Sequence, residues 1–293
     1  MLKGWVVAAY GRQYGVEIEG RIQSCIARGR KVEAVVGDWV QVSDGVIESV
    51  MPRTSLLYRS DAFREKRIAA NVTQVVFVLA GVPTYSELLL NLCLVAAQDQ
   101  GLKFMILLNK ADMEEATRTA GKALELYKAL GYRVLTISAK RDVSPLLPFL
   151  ENETSVFVGQ SGMGKSTLIN SLIPEAKRET GEISSALDSG RHTTTHARLF
   201  HLSESSHVID SPGLQEFGLN HLDLDRVFHA FIEFRPFIGH CRFRNCRHLN
   251  EPGCALDAAL EKGAISARRM AVYRMLAEEI ISRDSGKGRA RNK

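Results

Sequence analysis

No stretch of the 293-residue chain approaches the ~18–20 consecutive apolar residues of a membrane-spanning helix, so no membrane partner is expected. Internal repeats are lacking, which excludes a repeat architecture, and low complexity is confined to a short basic tail over 286–293. Charge of one sign is also in short supply. A net charge of +5 and a pI of about 9.0 permit a nucleic-acid partner without requiring one. The N-terminal apolar stretch Gly4–Tyr10 reads as a strand and not as a signal peptide, so a cytoplasmic protein with reduced thiols is expected. Cysteines number five. Cys25 and Cys93 stand alone in apolar surroundings and read as small buried hydrophobes, whereas Cys241, Cys246 and Cys254 are crowded together. With 45% apolar residues the chain can build sizeable cores, and its length suits two or three domains.

The centre of the sequence is Gly159-Gln160-Ser161-Gly162-Met163-Gly164-Lys165-Ser166-Thr167. It follows the apolar run Ser155–Val158 and precedes Leu168–Ile173, giving strand, glycine-rich turn and helix in the context that G-x-x-x-x-G-K-[ST] requires. Such a turn points several backbone N–H groups at a phosphate chain, and the helix adds its unsatisfied amides. Lys165 would reach the terminal phosphates and the Ser166 hydroxyl would ligate Mg²⁺. A bound nucleoside triphosphate is predicted.

Residues 1–60 carry short apolar runs at Gly4–Tyr10, Gly15–Gly20, Val35–Val42 and Gly45–Val50, separated by turn residues, which suits a small oligonucleotide-binding (OB) type barrel. Arg12, Arg21, Arg28, Arg30, Lys31, Arg53 and Arg59 would decorate its loops, as an ordinary charged surface or as an RNA-binding face. Pro52–Ala70 reads as a connector. From Asn71 strands and helices alternate: strands at Val75–Ala80, Lys103–Leu108, Arg133–Ile137, Ala197–Leu202 and His207–Asp210, helices at Ser86–Gln100 and Met113–Leu130. This predicts an α/β fold with a mostly parallel sheet.

Two motifs end strands, where ligands of such sheets bind. In Asn109-Lys110-Ala111-Asp112, the Asp112 carboxylate can accept from the ring N–H and the amine of guanine, while adenine would leave it unpaired. Asn109 can serve the opposite edge of the base and the Lys110 stem can cover its face. In Ser138-Ala139-Lys140, the Ala139 N–H could donate to the guanine carbonyl. After the phosphate loop comes Gly190-Arg-His192-Thr193-Thr-Thr195-His196, in which a threonine, with Thr193 assigned, could close over Mg²⁺ as a switch. In Asp210-Ser-Pro-Gly213, Asp210 would hold Mg²⁺ through water and the Gly213 amide would sense the terminal phosphate. Together these are the parts of a GTPase in an unusual order, with the base-recognition pair ahead of the phosphate loop. The chain therefore resembles a circularly permuted GTPase.

The spacing Cys241-x4-Cys246-x-His248-x5-Cys254 supplies three thiolates and an imidazole, the closed ligand set of a structural zinc site, with His240 as a substitute ligand. Arg242, Arg244 and Arg247 are interleaved with it. Asp223–Phe237 has a helical pattern, and Ala255–Arg283 makes a helical hairpin or a single helix.

The barrel, the permuted core and the Cys/Cys/His/Cys knuckle together resemble the family of ribosome small-subunit-dependent GTPases, the RsgA or YjeQ family. The resemblance covers nearly the whole chain and divides it into an OB-type barrel (1–62), a circularly permuted GTPase domain (63–222) and a zinc-knuckle helical domain (223–293). It implies a cytoplasmic, monomeric GTPase that acts late in assembly of the small ribosomal subunit. It further implies slow GTP hydrolysis to GDP stimulated by the subunit, and contacts to its rRNA. A non-catalytic RNA-binding assembly factor liganded by GTP is the alternative, and Asp112 disfavours ATP chemistry. Leu214 occupies the place where many GTPases carry a water-positioning glutamine. The resemblance suggests His192 for that role, with Gln215 the rival and a simple RNA or solvent contact of His192 the third option.

Overall fold

A computed structural model of the chain describes residues 1–29, 32–60, 65–173, 197–211 and 218–290. Alternating burial along the N-terminal segment gives five strands, β1 (Leu2–Tyr10), β2 (Gln13–Ile18), β3 (Arg21–Ala27), β4 (Trp39–Ser43) and β5 (Val46–Val50). They pair in the order β1-β2-β3-β5-β4, and β4 returns to β1 with Trp5 opposite Trp39, closing a five-stranded barrel. The β3–β5 pairing is parallel and the others antiparallel. Val6, Val16, Val40 and Ile47 are fully buried inside it, with Tyr14 and Ile18. β3 is absent from the apolar runs of the sequence because its outer residues Arg21–Ser24 are all exposed, so no alternation marks it. Arg53 does not join a loop surface. It grips the fully buried Asp38 through both carboxylate oxygens at 2.7 and 2.8 Å, because a carboxylate out of water needs a paired cation.

The expected connector is a hairpin, β6 (Leu56–Ser60) paired antiparallel with β7 (Glu65–Ala70). Its buried apolar residues are Leu57, Ile68, Ala69 and Ala70, and alanines give too weak an apolar signal to reveal a strand. Beyond it run β8 (Gln74–Ala80), α1 (Glu87–Asp99), β9 (Lys103–Asn109), α2 (Glu114–Ala129), β10 (Arg133–Thr136), α3 (Leu147–Leu150), β11 (Thr154–Val158), α4 (Lys165–Leu172), β12 (Arg198–His201) and β13 (His207–Asp210). The order β10-β9-β8-β11-β13 is parallel throughout. Every residue of β8 is buried, as expected for a parallel strand covered on both faces. Antiparallel β12 lies between β13 and barrel strand β1, so the core sheet and the barrel form one eleven-stranded sheet.

The C-terminal segment contains α5 (Leu224–Ala230), a 3₁₀ turn over Ile232–Phe237, α6 (Ala255–Glu261) and α7 (Ala267–Ala290). Asp223 caps α5 by accepting from the Arg226 N–H at 2.8 Å. The segment expected as a helical hairpin or a single helix is two helices, interrupted by a turn at Gly263 (φ 72°). Phe228, Phe231, Phe234 and Tyr273 pack edge-to-face and stacked, in one continuous core with the β8–β9 sheet and α1. No helix among the described residues is long and apolar enough to cross a membrane.

Candidate nucleotide site and metal centre

The phosphate loop leaves β11 at Val158 and enters α4 at Lys165. Gly164 caps α4 in the left-handed region (φ 90°), and a Cβ there would lie 2.5 Å from Asn109 Nδ2. Gly159, at φ 152°, passes so close to β8 that a Cβ would lie 2.2 Å from the Val78 carbonyl oxygen. Only glycine satisfies both positions, so the turn keeps its amides free of side-chain cover.

The strand-end motifs converge on this loop. Asn109 is 1% exposed. Its Nδ2 donates to the Met163 carbonyl at 3.0 Å, and its Oδ1 accepts from the Ala139 N–H at 2.9 Å. A single side chain thus ties the end of β9 to the phosphate loop and to the Ser138-Ala139-Lys140 turn. The two groups expected to meet a base edge, Asn109 and the Ala139 amide, meet each other in this conformation. Lys110 sits at φ 63° and its Nζ donates to the carbonyls of Gly162 at 2.6 Å and Val82 at 2.9 Å, so its stem runs alongside the loop. Ala111 N–H is spent on the Ile137 carbonyl. Asp112 accepts from the Ser138 hydroxyl at 2.5 Å, and that bond, with Lys140 and Arg141 nearby, holds its carboxyl below the usual range. The end of β9 therefore carries an ionised, acceptor-only group. Lys140 is exposed.

Gln160 has a task that its motif position does not announce. Its Oε1 accepts from the Ser86 N–H at 2.6 Å, fastening the phosphate loop to the cap of α1. Lys165 is 8% exposed and donates to the Gly159 carbonyl at 3.0 Å. Burial lowers its pKa, while the neighbouring Asp210 charge opposes that shift. Asp210 ends β13 level with Phe157 of β11, immediately beside the loop. Ser161, Ser166 and Thr167 are exposed on the loop and first turn of α4, and Met163 is buried beneath. Ser166 and Asp210 offer oxygen donors of the kind Mg²⁺ takes. His192, Thr193, Gly213, Leu214 and Gln215 lie outside the described residues.

The second site lies between α5 and α6. The ligand atoms of Cys241, Cys246, His248 and Cys254 all fall within 4.8 Å of one another. His248 Nδ1 is 3.5 Å from Cys241 Sγ and 3.4 Å from Cys254 Sγ. Zn–S bonds of ~2.3 Å at tetrahedral angles place ligand atoms at roughly this separation. His248 adopts φ 62°, and Phe228 stacks on its ring at 4.8 Å. Burial lowers the His248 pKa and raises the Cys246 and Cys254 thiols. A neutral imidazole is what a metal needs, and a bound cation would stabilise the thiolates that burial disfavours. Glu251 organises the loop by accepting from the Arg247 and Leu249 amides at 2.9 and 2.7 Å. His240 is not part of the cluster.

Comparison with known proteins matches this arrangement. A family model described as RsgA GTPase matches residues 50–220. A protein of Nitrosospira multiformis named small ribosomal subunit biogenesis GTPase RsgA is 53% identical over 281 residues, covering 94% of this chain and 90% of its own. The protein of the same name from Nitrosomonas europaea is 55% identical over 284 residues, with the same coverage. Among solved structures, YjeQ from Thermotoga maritima superposes with a TM-score of 0.72 at 29% identity, over 96% of this chain and 98% of its own. YloQ, described as a circularly permuted GTPase, gives 0.70 at 28% identity over 97% and 96%. With the permuted sheet, the phosphate loop and these relatives in agreement, the chain belongs to the RsgA GTPase family.

Proposed function

We propose that this GTPase acts in maturation of the small ribosomal subunit, contacting its rRNA and turning over fastest on that particle. The observation that carries the nucleotide reading is the Asn109 bridge, because one buried side chain sets the base-recognition turn and the phosphate loop in a fixed relation. The setting comes from the names of the relatives. In this reading the chain comprises a barrel (1–62), a permuted GTPase domain (63–222) and a zinc-knuckle domain (223–293).

Asp112 selects guanine by accepting from its ring N–H and amine. The amides of Gly159–Thr167 and the Lys165 ammonium, released from the Gly159 carbonyl, hold the phosphates. The Ser166 hydroxyl, Asp210 and Thr193 would hold Mg²⁺, which supplies charge neutralisation on the transferring phosphate. Gly213 offers its amide to the same phosphate. Leu214 has no polar side-chain atom to orient water, so His192 takes that role on the particle. Cys241, Cys246, His248 and Cys254 hold one structural zinc, whose soft thiolate set suits that metal.

The test is GTP turnover with and without purified small subunits. We expect slow turnover alone, a severalfold rise with subunits, and no competition by ATP. His192→Ala should keep GTP affinity and lose most of the stimulated rate, while Gln215→Ala loses much less. Absence of turnover under both conditions would favour a non-catalytic assembly factor.

A further inference from the structure

The barrel and the candidate metal-binding aspartate are two rungs apart on one ladder. Ala8 of β1 lies opposite Arg198 of β12, and Arg198 lies opposite Asp210 of β13. Side chains repeat the connection farther along the same strands. Across the barrel, Trp5 has Glu17 of β2 on one side and Trp39 of β4 on the other. Its ring stacks on Trp39 at 4.9 Å with an interplanar angle of 8°, and its edge meets His207 at 4.7 Å. His201 and His207 are a cross-strand pair of the β12–β13 hairpin. His201 Nε2 lies 2.8 Å from Glu17 Oε2, and its Nδ1 lies 2.9 Å from His207 Nδ1.

Two imidazole nitrogens at that distance need one proton between them. With both rings neutral, the Glu17 carboxylate sets the order: His201 donates from Nε2 to Glu17 and accepts at Nδ1 from His207. The chain of bonds fixes both rings against Trp5. His207 is 8% exposed and begins β13, all of whose residues are buried. Asp210 is three residues on, about 10 Å along the strand. A buried strand clamped between β11 and β12 moves as a unit, because close-packed neighbours leave no room for it to deform.

We propose that Trp5, Glu17, His201 and His207 are positioning residues that couple the barrel to Asp210, so that the barrel's placement sets the Mg²⁺ affinity of the nucleotide site. This rests on the reading of Asp210 as a Mg²⁺ ligand. A partner pressing on the barrel would act on hydrolysis through this seam without touching the nucleotide.

The experiment is the Mg²⁺ dependence of fluorescent guanine nucleotide release from the full chain. Glu17→Ala and His201→Ala should raise the Mg²⁺ concentration for half-maximal retention by about fivefold or more, the low end of coupling between linked sites. Retention without Mg²⁺ should stay at the parent value. Glu17→Gln, whose amide can still bond His201, should lie close to the parent midpoint, and Asp210→Asn should shift the midpoint further than any of them. The coupling is overturned if Asp210→Asn shifts the midpoint and the two alanine variants do not. It is also overturned if Glu17→Gln behaves as Glu17→Ala, since the hydrogen-bonded chain then carries nothing. No shift in Asp210→Asn would instead remove the reading of Asp210, and the coupling with it.

Discussion

In the proposed function, Asp112 concentrates the choice of base in one carboxylate. Its acceptor-only character follows from ionisation, and the Ser138 hydroxyl enforces that state. An amide in its place still accepts from the ring N–H but turns its NH2 donor on the guanine amine, whereas the 2-carbonyl of xanthine accepts from that donor. Asp112→Asn should therefore weaken GTP binding at least about tenfold and favour xanthosine triphosphate. Competition binding with both nucleotides measures it, and an unchanged preference would remove the motif from base recognition. The residue types at this site were legible because each motif is a short string with its own chemistry. Their bonds were not. Asn109 reaches Met163 and Ala139, and Gln160 reaches the cap of α1, across separations that only the folded sheet closes.

At the scale of elements, the knuckle between α5 and α6 owes its shape to few backbone hydrogen bonds and to four converging ligand atoms. Metal binding should therefore be part of its folding free energy. Freshly purified protein should carry about one equivalent of zinc, and Cys254→Ser less than about half of one. In that variant, limited proteolysis should cut within 238–254 while the core stays intact. Full metal content in Cys254→Ser would show that this cluster is not the site. The knuckle was legible since its ligand spacing is written in the chain, as were the helices with strong apolar periods, such as α1 with its Ser86 cap. β3 and the β6–β7 hairpin were not. One has its outer half exposed and the other buries alanines, so neither carries the alternation that distinguishes a strand before it has a partner.

For the whole molecule the question is how many units melt. Burial gives two cores: a small one inside the barrel, and a large one running without a break from β8 and α1 to α7. The second is pinned by Arg269, 1% exposed, which donates to both oxygens of Glu233 at 2.6 and 3.2 Å and also to Asn91 of α1. Its guanidinium lies 4.3 Å from the Phe231 ring centroid. Asn91 in turn donates to the Tyr127 hydroxyl of α2 at 2.9 Å. Truncating Arg269 leaves the Glu233 carboxylate buried without its cation, which costs about 3–5 kcal/mol. For a unit of ~200 residues that lowers the midpoint by on the order of 10 °C. Both tryptophans of the chain, Trp5 and Trp39, lie on barrel strands, with Trp5 also packed on the large core at His207, so their fluorescence follows the barrel together with its seam to β12 and β13, while far-UV circular dichroism follows the helices. Arg269→Ala should lower the dichroism midpoint by that amount in a single transition and move the fluorescence midpoint much less. Equal shifts would make the molecule one cooperative unit. A dichroism curve split into two steps would make the C-terminal helices a unit of their own, despite the core they share.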